Sequence, residues 1–277
     1  MFQFFLDGSR IVLIKETELQ HFSAGCFLTS DDSLTESEKD EVARGLADGL
    51  AHLHSNQIYL GNEIKPQNVF VLKSATTGCH AVFVARHETS ANGSEEGDII
   101  KLAEILEFVW TSGQVRLTFA QHALLSDMRN RFPVSMNELS KNVAFWPKEK
   151  ALDFFVVVSE VLELKQRRHR ESVEEYGHKV IYESWHDNLD PAVRGVVEQG
   201  RRRSYEPTSV ADLLRLIRNL ACHYYNFPPA VRASLGPFDS LGSMWTGVFP
   251  RLLLHTYAAM EPFKNDTNCR RIGKFYS

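Results

Sequence analysis

The sequence predicts a mainly α-helical protein built in two successive parts, residues 1–146 and 147–277, on three observations. Apolar residues recur at helical spacing in Glu38–His54, Asp98–Trp110, Lys150–Leu164 and Pro207–His223. Short apolar runs bounded by turn residues, the mark of strands, occur only up to Ala85. The net charge of −4 is unevenly divided: residues 1–146 carry 12 Lys+Arg against 19 Asp+Glu, a net of −7, and residues 147–277 carry 19 against 16, a net of +3. Such an asymmetry suggests two parts with different partners, and 277 residues accommodate two modest domains.

Taken in order, Phe2–Leu6 and Ile11–Ile14 read as strands joined at Asp7-Gly8-Ser9. The polar Thr29–Asp40 stretch leads into an amphipathic helix, Glu38–His54, with Val42, Leu46, Leu50 and Leu53 along one face. Ile58–Leu72 is loop and strand, Ala81–Ala85 a short strand, Glu88–Gly97 a polar loop, and Asp98–Trp110 an apolar helix. Short helical pieces over Leu117–Trp146 end at Phe145-Trp146, before Pro147. Beyond it, Lys150–Leu164 is amphipathic, with Phe154, Val158 and Val161 on one face. Lys165–Arg170 is a basic run that reads as a solvated helix end, and Ser172–Tyr182 and Pro191–Gln199 are expected helices. Pro207–His223 is the clearest helix, opened by Pro207 and by Ser209 with Asp212 three residues later, the spacing of a capping box. Pro250–Met260 closes the chain's helical pattern.

Hydrophobic residues at 43% and charged residues at 24% exclude a disordered or collagen-like chain. Cys26, Cys79, Cys222 and Cys269 form no C-x-x-C and have no histidine at finger spacing, so reduced thiols and no metal site are expected. The N-terminus lacks a basic region and a signal-length apolar run, and no apolar stretch reaches 18 residues. The expectation is a cytoplasmic chain, or the cytosolic portion of a larger protein, with no membrane segment.

Lys65-Pro-Gln-Asn68 follows a helix and precedes an apolar strand, and this resembles the catalytic loop of protein kinases. In that register Glu63 stands where a kinase has its catalytic aspartate, and Gly61 and Asn62 replace histidine and arginine. Ala85 stands where the magnesium-binding aspartate belongs, and only Lys65 and Asn68 keep the pattern. No Gly-rich phosphate loop is found, and Asp98-Ile-Ile-Lys-Leu-Ala103 resembles the buried-aspartate helix of the kinase large lobe. The resemblance implies a truncated, mostly C-lobe pseudokinase over residues 1–146, with Glu16–Leu19 as a hinge after two small-lobe strands. The lost motifs argue against kinase activity and against ATP or ADP binding.

In the second part, Tyr205, Arg218, Asn219 and His223 gather near one helix, with Val210, Leu213, Leu214, Ile217 and Leu220 on its other face. His223 follows Asn219 by four residues, which would place both on one helical face. A phenol, a guanidinium, an amide and an imidazole suit phosphodiester chemistry. Histidine can protonate a leaving oxygen, and arginine and asparagine can donate to a phosphorane's oxygens. By spacing alone, a solvated Arg-Asn pair and a structural histidine remain open.

The stretch from Tyr205 to His223 resembles the signature of the kinase-extension nuclease (KEN) family, which includes the 2-5A-dependent ribonuclease and the unfolded-protein-response sensor. Phe145-Trp146, Ser184–Asn188, His223–Pro228 with Leu235-Gly236, and Phe249–Tyr257 extend the resemblance over residues 142–261. It implies an all-helical KEN ribonuclease domain over 147–277, cutting RNA by 2′-OH attack to 2′,3′-cyclic phosphate and 5′-OH ends. It implies His223 as general acid, Tyr205 as base or its orienter, and Arg218 and Asn219 as phosphate stabilisers. No cofactor is needed for that cleavage, and the partners implied are RNA rather than DNA and a second copy in a back-to-back homodimer. Arg201, Arg202 and Arg203 adjoin Tyr205 and could guide the RNA backbone. The alternative is a catalytically silent pseudokinase and nuclease-like module that binds nucleotide or a partner and scaffolds assembly.

Overall fold

A computed structural model describes residues 2–7, 10–15, 25–28, 34–74, 78–83, 93–130, 134–164, 167–199 and 205–276. The chain is mainly helical, and among the described residues its strands lie before residue 84. It divides into two compact units, one of Met1–Leu117 with Gln121–Phe145, the other of Trp146–Ser277 with Thr118–Ala120.

In the first unit β1 (Phe2–Asp7) and β2 (Arg10–Lys15) form an antiparallel pair, Phe2 opposite Lys15. A second antiparallel sheet is ordered β3 (Gly25–Phe27), β4 (Val69–Ser74), β5 (Gly78–Phe83), with Val71 between Cys26 and Ala81. Helix α1 (Glu36–Ser55) begins at a capping box: Thr35 Oγ1 accepts from Glu38 N, and the Glu38 carboxylate accepts from Thr35 N at 2.7 Å. Its apolar stripe Val42, Leu46 and Leu50 is buried, with Ile99, Leu102 and Leu106 of α2 (Glu95–Thr111) in the same core. Helices α3 (Phe119–Asn130) and α4 (Met136–Leu139) follow.

The second unit is built from α5 (Lys148–Glu163), α6 (Arg167–Glu174), α7 (Pro191–Gln199), α8 (Val210–Cys222), α9 (Pro229–Leu235), α10 (Leu241–Val248), α11 (Leu252–Met260) and α12 (Arg270–Gly273). Helix α5 carries Phe154, Phe155 and Val158 into the core and packs against α8 and α10. Its contact with α10 depends on Gly242, where a Cβ would lie 2.1 Å from the carbonyl oxygen of Lys148. Trp146, Phe154, Tyr257 and Phe275 form one aromatic cluster, with centroids 5.0–6.1 Å apart where the rings meet.

Arg167–Arg170 opens α6 with its three arginines exposed, so the basic run is a solvated helix end, except that His169 within it is buried. Two sequence expectations need correction. The helix expected over Ser172–Tyr182 stops at Glu174, because Tyr176 takes a left-handed conformation (φ 57°) before a short 3-10 turn, Gly177–Lys179. The helix expected over Pro207–His223 occupies only Val210–Cys222, because Ser209 is its extended N-cap and His223 leaves the helical region at φ −109°.

Candidate functional site

Ser209 Oγ accepts from Asp212 N at 3.1 Å, which is half of the expected capping box. The Asp212 carboxylate does not close the box. It accepts instead from Glu206 N at 2.7 Å and meets Arg170 at 3.2 Å and Arg215 at 3.5 Å. The remaining donors at the helix start go to Glu174, which accepts from Val210 N at 3.0 Å, from Ala211 N at 3.2 Å and from Ser209 Oγ. A carboxylate there also meets the positive end of the helix dipole. Helix α8 is thus anchored at its start by α6.

The segment before α8 is fixed by Trp185, which is buried, and which donates through its ring to Glu206 O at 3.2 Å and through its amide to Pro207 O at 3.0 Å. This holds Tyr205 with its ring edge-on to Trp185 at 5.9 Å and under the Arg215 guanidinium at 4.5 Å. Asn219 Nδ2 donates to the Tyr205 hydroxyl at 2.8 Å, and Asn219 Oδ1 accepts from Arg218 Nε and Nη2 at 3.3 and 3.1 Å. Arg218 also lies 3.9 Å from Glu163, the last residue of α5.

Tyr205, Asn219 and Arg218 therefore form one hydrogen-bonded string, half-buried, that joins the segment before α8 to the last turns of that helix. His223 stands where the helix ends. Its backbone donates to Asn219 O at 3.1 Å, its side chain is exposed, and among the described residues no hydrogen bond joins its imidazole to the string. The string leaves Tyr205 its own O–H, and Arg218 and Asn219 further N–H donors, for an oxyanion. Trp185 and Arg215 were not legible as site residues. Arg215 sits one turn before Arg218, a spacing that could have suggested it. Nothing local to Trp185 indicates what it touches.

Arg201, Arg202 and Arg203 lie outside the described residues. Of the earlier basic run, Arg168 pairs with Asp266, Arg170 with Asp212 and Ser209, and Arg167 with Glu171, and all three arginines are exposed.

One group among the described residues could share a cation: the ligand atoms of His169, Asp266 and Cys269 lie within 4.8 Å of one another. Its chemistry fits a metal poorly. Asp266 is engaged by Arg168, and burial raises the pKa of the Cys269 thiol, away from the thiolate a metal needs, although burial also keeps the His169 imidazole neutral.

In the first unit, Asp98 is fully buried and accepts from Leu60 N at 2.8 Å, Gly61 N at 2.7 Å and the His54 ring at 3.0 Å. Gly61 adopts φ 54°, which a side chain at this position would resist. Asn68 Nδ2 lies 2.9 Å from both the Glu63 carbonyl and the Glu63 carboxylate, while Lys65 is exposed. The structure thus brings Glu63 and Asn68 together. Ala85 lies outside the described residues.

Residues 151–272 match the family model described as Ribonuclease 2-5A. These residues are a kinase-extension nuclease domain. The nuclease-family domain contains Tyr205, Arg218, Asn219 and His223. Human serine/threonine-protein kinase/endoribonuclease IRE2 is 36% identical to this chain over 142 residues, 50% of this chain and 15% of the human protein. Caenorhabditis elegans serine/threonine-protein kinase/endoribonuclease ire-1 is 27% identical over 285 residues, 80% of this chain and 29% of the worm protein. The Schizosaccharomyces pombe sensor for unfolded proteins in the ER, ire1, is 31% identical over 170 residues, 58% of this chain and 16% of that protein. The chain thus spans less than a third of each of these relatives. Among the described residues no helix is long and apolar enough to cross a membrane.

Proposed function

We propose that the nuclease-family domain is an endoribonuclease that cleaves RNA by attack of a 2′-OH on the adjacent phosphorus, leaving 2′,3′-cyclic phosphate and 5′-OH ends. The hydrogen-bonded string Tyr205–Asn219–Arg218, one turn before an exposed histidine, supports this reading. RNA supplies its own nucleophile, so the protein must move two protons and stabilise a dianionic phosphorane. Arg218 and Asn219 donate to the non-bridging oxygens. Tyr205, held by Asn219, orients or accepts the 2′-OH proton, and His223, open to solvent, protonates the leaving 5′-oxygen. These steps need no metal. The similarity to proteins named kinase/endoribonucleases over 80% of the chain supports reading the first unit as a kinase-derived scaffold. Its role would be to pair two copies back to back rather than to transfer phosphate. The runner-up is a silent module of the same ancestry that scaffolds assembly.

The test is the purified chain on end-labelled RNA, with and without EDTA, with product ends identified as cyclic phosphate and 5′-OH. Cleavage unchanged by EDTA is expected, and His223→Ala should lower the rate by about 10²–10⁴-fold, the usual contribution of a general acid. No cleavage at dimer-forming concentrations overturns the enzyme reading. Cleavage lost on chelation overturns the metal-free one.

A further inference from the structure

Beyond His223 the chain places two large aromatic rings at the surface, Tyr225 in the turn after α8 and Phe238 in the turn after α9. Tyr225 is 74% exposed and Phe238 40% exposed. Their rings stack at 5.9 Å with 23° between planes. Both stand edge-on against Tyr224, at 5.1 and 5.5 Å. Tyr224 is buried, and its hydroxyl donates to Gly236 O at 2.6 Å, which ties the turn after α8 to the turn after α9. Tyr225 belongs to the short 3-10 turn capped by His223, with Asn226 N donating to His223 O at 2.9 Å. Gly236, at φ 74°, turns the chain so that Phe238 meets Tyr225. The rings are thus held in place by the fold, and the outer face of Tyr225 is open.

Apolar rings in water cost free energy unless something covers them, and Tyr225 lies two residues after the proposed general acid, in the turn that His223 caps. A nucleobase has the size and flatness to cover one ring, and every base offers a π face. We propose that Tyr225, backed by Phe238, is a stacking platform for the base of the nucleotide on the 3′ side of the scissile phosphate. That nucleotide carries the leaving 5′-oxygen, so its base lies on the side of the site where His223 stands. This inference rests on the reading of His223 given under the proposed function.

The experiment measures binding by fluorescence anisotropy. The probe is a short single-stranded RNA made uncleavable by 2′-O-methyl sugars, with one abasic position moved along it in turn. Wild type, Tyr225→Ala, Tyr225→Trp and Phe238→Ala are compared, with circular dichroism and sedimentation as fold and assembly controls. Tyr225→Ala should weaken binding about 5- to 100-fold, the range for losing one stacked base. Tyr225→Trp should retain binding. One abasic position should weaken wild type similarly and leave Tyr225→Ala unaffected, since both remove the same contact. Mapped cleavage of the 2′-OH version should fall immediately 5′ of that position. Equal binding by Tyr225→Ala, additive losses, or no binding by wild type overturns the platform. So does a Tyr225→Ala effect confined to sedimentation, which would assign the rings to a second copy of the chain. A wild type that shows the stacking pattern but leaves the 2′-OH oligonucleotide intact overturns the nuclease reading and keeps the platform.

Discussion

Asn219 gives its amide nitrogen to Tyr205 and its oxygen to Arg218, so one side chain sets the separation of a phenol and a guanidinium. Its type was legible, since an Arg-Asn pair on the polar side of an amphipathic helix could be picked out from spacing. Its partner was not, because Tyr205 lies outside the helix and reaches Asn219 only through the turn that Trp185 pins. His223 is the C-cap of α8: its amide still bonds Asn219 O, four residues back, although helical backbone ends at Cys222. His169 was invisible as a buried group, sitting in a run of arginines, yet it is fully buried beside Cys269, a hundred residues away. Burial, with Arg168 adding repulsion, lowers its pKa from 6.5 in the folded state. The unfolded chain therefore takes up a proton on this residue before the folded one does. The stability due to neutral His169 is complete above about pH 6.5 and is lost as pH falls below it. Thermal midpoints followed from pH 7.5 to 5 should fall toward acid, by up to about one extra proton in slope, and His169→Gln should flatten that slope. A wild-type curve parallel to that of the variant would remove His169 as the cause.

Among the elements, α8 matters most, because the string reaches its last turns. Its apolar face was readable, and Val210, Leu213, Leu214 and Ile217 are all buried. Its start was read only in part. Ser209 was identified as a cap, but the main acceptor at the helix start is Glu174 of α6, 36 residues before Val210. A long-range cap leaves no local pattern, whereas the α1 capping box, contained in Thr35–Glu38, does. Glu174→Ala should destabilise the nuclease-family domain by about 1–2 kcal/mol, the range for losing a cap with its dipole contact. A drop of several degrees in the thermal midpoint would register this. Glu174→Gln, which keeps an acceptor, should lose less. Equal midpoints for wild type and Glu174→Ala would show that α8 does not depend on this carboxylate.

For the whole molecule, the charge division identified at the outset would bear on assembly under the proposed function. A net of +3 over residues 147–277 gives one copy little hold on a polyanion, and two copies acting together would pool it. Cleavage should therefore rise more steeply than in proportion to protein concentration, and should weaken as salt goes from 50 to 200 mM. Initial rates over a concentration series at both salts test this, and strictly proportional rates would remove the need for a second copy. By itself the sequence determined the mainly helical class and the change of character near Trp146, which are written in short-range spacing, residue type and charge. The degenerate kinase-like loop and the four residues of the candidate site were legible through resemblance to known families, where spacing alone left them open. Only the tertiary structure decided that Glu174 caps α8, that Trp185 fixes Tyr205 and that His169 meets Cys269. It also decided that Tyr225 and Phe238 stack beside His223. Each is a contact between segments distant in the sequence, set by how helices and turns pack around a shared core, and no local pattern encodes it.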